Sequence, residues 1–182
     1  MATRSLWLVL CACVLLACGR ADDPYLPGGS GTGGGGGGGT CVSGCQRGFR
    51  CAGTSCALDP TGLWVLTVNS GSILDHKLSG DAWDPFGGLP DAFVCLTING
   101  SRSCTSTRDD TIAPSWNQSF PAVTATALEA GVLVEFNDYD STSANDPICG
   151  AGMVSVQAGN FASGIWGAQC TSGSFSATLT AR

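Results

Sequence analysis

Eight cysteines beyond residue 40 constrain this chain more than any other feature, because each pair that bonds closes a loop the fold must accommodate. They are Cys41, Cys45, Cys51, Cys56, Cys95, Cys104, Cys149 and Cys170. An even set in an exported chain reads as disulfides. The first four crowd together in a segment that also holds Gly44, Gly48 and Gly53. Residues 41–57 are too few to enclose a core, so two bridges are expected to hold them together. Four cysteines allow three pairings, and all three stay open here. A four-cysteine zinc site is the rival; the lack of a Cys-x2-Cys pair and an oxidising compartment weigh against it. Cys95 and Cys104 flank Asn99-Gly100, the strongest two-residue hairpin signal. Counting outward from that turn, 98/101 is a hydrogen-bonded pair and 95/104 is not. Non-hydrogen-bonded pairs bring side chains closest, so a cross-strand disulfide fits. Cys149 and Cys170 are left for each other.

The start of the chain supplies the reason to expect export. Arg4 precedes an apolar run from Leu6 to Ala17. A bilayer-spanning helix needs about 20 apolar residues, and this run has the length of a signal peptide instead. It ends Leu15-Leu16-Ala17-Cys18, which resembles the bacterial lipobox, where the cysteine is acylated and becomes the new N-terminus. Residues 1–17 are thus expected to be a lipoprotein signal peptide, and Cys18 the lipidation site. An ordinary signal peptide with an incidental Cys18 is the plainer alternative. Residues 18–40 include an almost pure glycine tract from Gly28 to Gly39; glycine here brings nothing to bury, so this is a tether. A phosphate loop would need a preceding strand and a following Lys-Ser/Thr, and neither is present. The expected location is the bacterial cell envelope, lipid-anchored, at the outer membrane or cell surface; Gly19 rather than aspartate does not argue for inner-membrane retention.

Residues 58–182 are expected to form the folded domain. Leu63 to Val68 is a β run, Asp91–Ile98 and Ser101–Arg108 form the hairpin, and Val132, Val134 and Phe136 share one face of another strand. Cys149 to Val156 is a further strand. At the end, Phe175, Ala177, Leu179 and Ala181 alternate with Ser174, Ser176, Thr178 and Thr180, a period of two with one face buried. Short strands without a convincing helix predict an all-β antiparallel sandwich. A net charge of −6 makes nucleic acid a poor partner.

Three segments then carry a resemblance. Pro90-Asp91-Ala92-Phe93-Val94, Thr111-Ile112-Ala113-Pro114-Ser115-Trp116-Asn117-Gln118-Ser119-Phe120, and Asn137-Asp138-Tyr139-Asp140 through Asn145-Asp146-Pro147-Ile148 resemble, in order, three segments of C2 domains. The resemblance implies an eight-stranded C2-like sandwich over 58–182, with the added strand at the C-terminus. It also implies a calcium site. Asp138, Asp140 and Asp146 match the third calcium loop, Ser143 a position where some members use a serine oxygen, and Asp91 the second aspartate of the first loop. Asp84 is taken as the first aspartate of that loop, with Asp81 further back. Calcium takes six to eight hard oxygen ligands, and like charges so grouped raise one another's pKa without metal. Asp-rich loops also occur as solvated turns.

The chain departs from the family at Cys149, which adds a residue after Ile148, and on Ser101–Ser106, which carries Arg102 alone where lipid-binding members are basic. The third loop tip, Ser141–Ala144, has no apolar prong. Trp83, Phe86 and Leu89 in the first loop either insert into a membrane or partner or cap the core. The expected function is a lipid-anchored, extracytoplasmic calcium-binding module that meets a membrane phospholipid or a protein. A metal-independent adhesion or scaffold lipoprotein is the alternative, and a module acting through its cysteine cluster is another. No enzyme is expected: His76 is the only histidine, no Gly-x-Ser-x-Gly elbow is present, and the cysteines are accounted for as pairs. A carboxylate dyad of the glycosidase kind explains grouped aspartates less well than one cation does.

Overall fold

The computed structural model describes residue 41, residues 44–84 and residues 88–182. The expected signal peptide, Cys18 and the tether lie outside the described residues, as does Phe86. A hairpin of β1 (Phe49–Ala52) and β2 (Ser55–Leu58) comes first, followed by β3 (Leu63–Ile73), β4 (Ala92–Ile98), β5 (Ser101–Cys104), β6 (Ser115–Ser119) and β7 (Val123–Thr124). Helix α1 (Ala125–Ala130) leads into β8 (Val132–Asp138) and β9 (Asp146–Val154); helix α2 (Ala158–Ser163) leads into β10 (Ile165–Gln169) and β11 (Gly173–Ala181). Two antiparallel sheets result, one ordered β10-β11-β3-β6 with β7 also on β3, the other ordered β5-β4-β8-β9.

Alternation fixes which face each strand buries. Along β8, Val132, Val134 and Phe136 point into the core while Leu133 and Glu135 lie half-exposed. Phe175, Ala177 and Leu179 of β11 are buried from the facing sheet. Phe136 meets Trp116 and Phe175 edge-on at centroid distances of 6.0 and 6.2 Å, a preferred aromatic geometry. It therefore ties the two sheets together. Removing such a ring by Phe136→Ala is expected to cost about 3–5 kcal/mol.

The sandwich has nine strands where eight are expected from sequence, and Pro121 is the reason. β6 and β7 run along the same strand β3, with Ser119 opposite Thr67 and Val123 opposite Trp64. Proline has no N–H to give the ladder, so the strand along β3 is interrupted there and continues as β7. β5 stops at Cys104 rather than Arg108, because the Ser106 amide turns to Gln118 Oε1 at 2.8 Å. Beyond Cys104 the Thr105 amide still donates to Val94 O at 2.8 Å, and backbone pairing returns at the Ala92–Arg108 bridge. The two helices are six residues each, too short to register as a 3.6-residue period. α1 starts where the Thr124 hydroxyl accepts from the Ala127 amide at 3.3 Å, an N-cap bond. The C-terminal strand β11 pairs with β3, so the added strand is C-terminal.

The hairpin turn is formed by Asn99 and Gly100, both at positive φ (50° and 77°), as a type I′ turn requires. Cys95 faces Cys104 with Cα atoms 4.0 Å apart, and the two are bonded. Cys149 bonds Cys170. In the crowded segment Cys41 bonds Cys51 and Cys45 bonds Cys56, which selects one of the three pairings and leaves no thiolate for zinc. The segment docks on the sandwich: Phe49 meets Trp64 edge-on at 6.1 Å, and the Asp59 amide donates to Gly48 O at 2.9 Å. Gly48, at φ 82°, lies so close to the indole that a Cβ would come 2.3 Å from Trp64 Cζ2. No other residue fits there without displacing that ring.

Candidate metal centre

The chain segments after β3, before β6 and between β8 and β9 gather at the Ile73 end of β3. Backbone hydrogen bonds join them: Ile73 N to Ile112 O, Thr111 N to Pro90 O, and Tyr139 N to Asp91 O, each 2.9–3.0 Å. Asp138 is the next inward position of the β8 stripe after Phe136, and it is fully buried. Strand register thus places a carboxylate where the core ends. Its neighbours in the sheet are Ala92 on β4 and Asp146 on β9.

One carboxylate oxygen from each of Asp138, Asp140 and Asp146 lies within 4.8 Å of the others. Asp84, Asp91 and Asp110 form a second such group. Backbone amides hold several of them: Asp91 N donates to Asp138 Oδ1 at 2.6 Å, Asp110 N to Asp91 Oδ1 at 2.7 Å, and Asp140 N bonds Asn145 Oδ1 at 3.1 Å. Burial pushes Asp138 up to about 6; the Asp91 amide opposes this, and the charges of Asp84, Asp140 and Asp91 add to it. Burial and then the charges of Asp91, Asp140 and Asp110 raise Asp84. The two groups therefore act on each other as one acidic field.

Two oxygens in this field, Asp138 Oδ2 and Asp140 Oδ2, are buried without a hydrogen-bond partner. An unmatched buried carboxylate oxygen is costly, and a cation relieves that cost. The donor set is all carboxylate, with no imidazole or thiolate, which suits a hard divalent ion such as calcium. These residues fit the metal that the sequence resemblance implies. Bound there, calcium would supply positive charge to the oxygens of Asp138, Asp140 and Asp146. Asp84 stands beside Asp91, whereas Asp81 is turned away to Ser79 Oγ at 2.7 Å. Ser143 lies exposed on the loop tip.

Two members of the cluster escape sequence reasoning. Asp110 stands one residue before the Thr111–Phe120 segment, and only the fold brings it to Asp91. Lys77 reaches Asp146 with its ammonium group. That hydrogen bond, and then the charges of Asp146, Asp138 and Asp140, raise the Lys77 pKa against the effect of burial. Trp83 is no membrane prong. It is buried and its indole donates to Leu74 O at 2.8 Å, so it caps the core, while Leu89 is half-buried. The exposed apolar side chains of this end are instead Leu74, Leu78, Ile112 and Tyr139.

An antiparallel sandwich that gathers two aspartate groups on loops at one end defines a β-sandwich module with an acidic loop cluster that could hold a cation. The C2 domain profile matches residues 64–165, and the chain belongs to the C2 domain family. Among solved structures, it is similar to the C2A domain of plant Extended Synaptotagmin 1, at 15% identity and a TM-score of 0.50, covering 68% of this chain and 96% of that one. It is similar also to the C2A and C2B domains of Extended-Synaptotagmin 2, at 14% identity and a TM-score of 0.50, covering 68% of this chain and 42% of that one. The chain thus spans nearly all of the first relative and under half of the second. At these identities the likeness concerns the fold. No curated protein sequence matches the chain.

Proposed function

We propose that the domain binds calcium through Asp138, Asp140 and Asp146, with Asp91 and Asp84 beside them, and that the loaded end docks on a phospholipid surface or a protein. The observation that carries this reading is the fully buried Asp138 with its unpartnered Oδ2, facing two further carboxylates. Among the described residues, Lys77 is the only lysine or arginine paired with these grouped aspartates. The exposed Leu74, Leu78, Ile112 and Tyr139 around the acidic groups offer apolar contact once that charge is neutralised. The sheet that carries Asp138 offers little to anionic lipid on β5: Arg102, the only basic residue of that strand, is paired to Glu135 at 2.8 Å.

The reading includes an extracytoplasmic place in a bacterial envelope, anchored through acylated Cys18. The lipobox-like Leu15-Leu16-Ala17-Cys18 supports it, and four disulfides among the described residues suit an oxidising compartment. No catalytic role is proposed: His76 is exposed beside Asp75, and the grouped aspartates are used on the cation.

Thermal melting in chelator and in calcium tests the calcium reading. Extracellular sites commonly have dissociation constants of about 10⁻⁴–10⁻³ M. Ligand at 100 times that constant adds about 2.7 kcal/mol, and each kcal/mol moves the midpoint by roughly 2–8 °C. The same midpoint with chelator and with about 10 mM calcium (a dose set by that affinity range) would mean that the sandwich works as a metal-independent scaffold.

A further inference from the structure

Lys77 is the only lysine in the chain, and it is placed inside the acidic end rather than on open surface. It opens a tight turn, in which Lys77 N donates to Asp81 O and Gly80 N donates to Lys77 O, both at 2.8 Å. Ser79 Oγ closes the turn on Asp81 Oδ2. From that turn the side chain crosses to Asp146, 69 residues away in sequence. Its ammonium nitrogen stands 5.7 Å from the centre of the Trp83 ring, within cation–π range. Trp83 is itself pinned by Leu74 O. Backbone, aromatic face and carboxylate thus converge on one position for one ammonium group.

We infer that Lys77 is the cation these loops hold in the absence of metal, and that calcium takes the site by displacing it. The inference rests on the calcium reading above and adds how that site is regulated. The ammonium satisfies Asp146 Oδ2 and leaves Asp138 Oδ2 and Asp140 Oδ2 bare, so it neutralises the field in part. Calcium holds its oxygens at about 2.3–2.6 Å. Seated among these three aspartates, it would stand a few ångströms from a second positive charge. Repulsion then drives the ammonium off Asp146. No bond is made or broken other than ionic contacts, and one charge is exchanged for two. The affinity the protein shows is the intrinsic affinity reduced by the cost of removing the lysine. Leu78, the next residue and 66% exposed, rides on the same turn, so release of Lys77 also loosens the turn that carries an apolar side chain at this end.

The test uses the purified full chain, with Lys77→Met to keep the aliphatic stem without its charge and Lys77→Arg to keep the charge. Calcium is titrated by calorimetry. Lys77→Met is expected to bind about fivefold tighter or more, which is about 1 kcal/mol at 1.4 kcal/mol per decade, and Lys77→Arg within about twofold of wild type. Acetylation of Lys77 by an amine-reactive ester, read by mass spectrometry of its peptide, is expected to speed up when calcium is added. Binding by Lys77→Met but not by wild type supports the inference in its strongest form. Equal or weaker binding by Lys77→Met overturns it and leaves the calcium reading standing. Tighter binding without faster acetylation assigns Lys77 a charge effect at a distance and overturns displacement. No calcium binding by wild type or Lys77→Met overturns the calcium reading, and this inference with it.

Discussion

The backbone amide of Asp91 donates to the carboxylate of Asp138 at 2.6 Å across 47 residues of sequence. This bond joins the start of β4 to the end of β8, and it is the only partner that either Asp138 oxygen has among the described residues. One oxygen fastens the fold and the other is buried without a partner, which is what the proposed calcium would use. Structure and site are therefore coupled at a single side chain.

The Asp138→Asn/Asp140→Asn double substitution removes two charges from this field. Calcium-dependent stabilisation is expected to vanish, while the metal-free protein melts at the same temperature or a few degrees higher because repulsion is relieved. Paired melting curves with and without calcium check both parts. A calcium shift that survives the double change would place the ion elsewhere.

The metal-free protein should be more stable at mildly acidic than at neutral pH. Asp138 is raised to about 6 in the fold, so the native state holds a proton that the unfolded chain has lost. Stability from this group is fully present below its unfolded pKa and disappears as pH rises through about 6. Asp84 is raised too and acts in the same direction. The difference between pH 4 and pH 7 is of order 2 kcal/mol from Asp138. Calcium affinity should show the opposite trend, weakening below pH 6 as protons compete for the same oxygens. Denaturant midpoints in chelator across that range decide it; a midpoint that rises steadily from pH 4 to pH 7 contradicts the assignment.

Trp83→Ala is expected to cost about 3–5 kcal/mol, the usual loss for a large buried ring. The indole fills the core edge and holds Leu74 O. Urea unfolding measures it. A cost under about 1 kcal/mol, typical of surface positions, would mean the ring is a detachable prong after all.

Non-reducing peptide maps should link Cys95 to Cys104, Cys149 to Cys170, Cys41 to Cys51 and Cys45 to Cys56. Mass spectrometry of the native protein should show an acylated Cys18 as its N-terminus. An unmodified N-terminus rules out the lipid anchor.

What was legible in the sequence was local. Asn99-Gly100 alone sets the register that pairs Cys95 with Cys104. The stripe of Val132, Val134 and Phe136 announces which way β8 faces, and its next step lands on Asp138. The sequence expects one site from the aspartates of loops 84–91 and 138–146; in the fold their carboxylates lie in two neighbouring groups, the first completed by Asp110. The rest depends on contacts between distant segments. Asp110 joins Asp91 only because the Thr111 amide bonds Pro90 O, and Lys77 meets Asp146 only because a turn aims it there. The pairing among Cys41, Cys45, Cys51 and Cys56 is set by the β1–β2 hairpin, in which Cys51 sits opposite Cys56 yet bonds Cys41. Nothing in the spacing of four neighbouring cysteines separates that arrangement from the other two.

The docking of the cysteine hairpin on Trp64 gives the molecule a polarity. β3 starts beside Trp64, where Gly48 and Ala181 of β11 also meet, and it finishes at Ile73 among the acidic loops. Eleven residues of strand, at about 3.3 Å each, separate these ends by roughly 35 Å. The disulfide-bonded hairpin is thus packed at one pole of the sandwich and the carboxylates are gathered at the other, so a change in the Phe49–Trp64 contact can reach the acidic loops only through the length of β3.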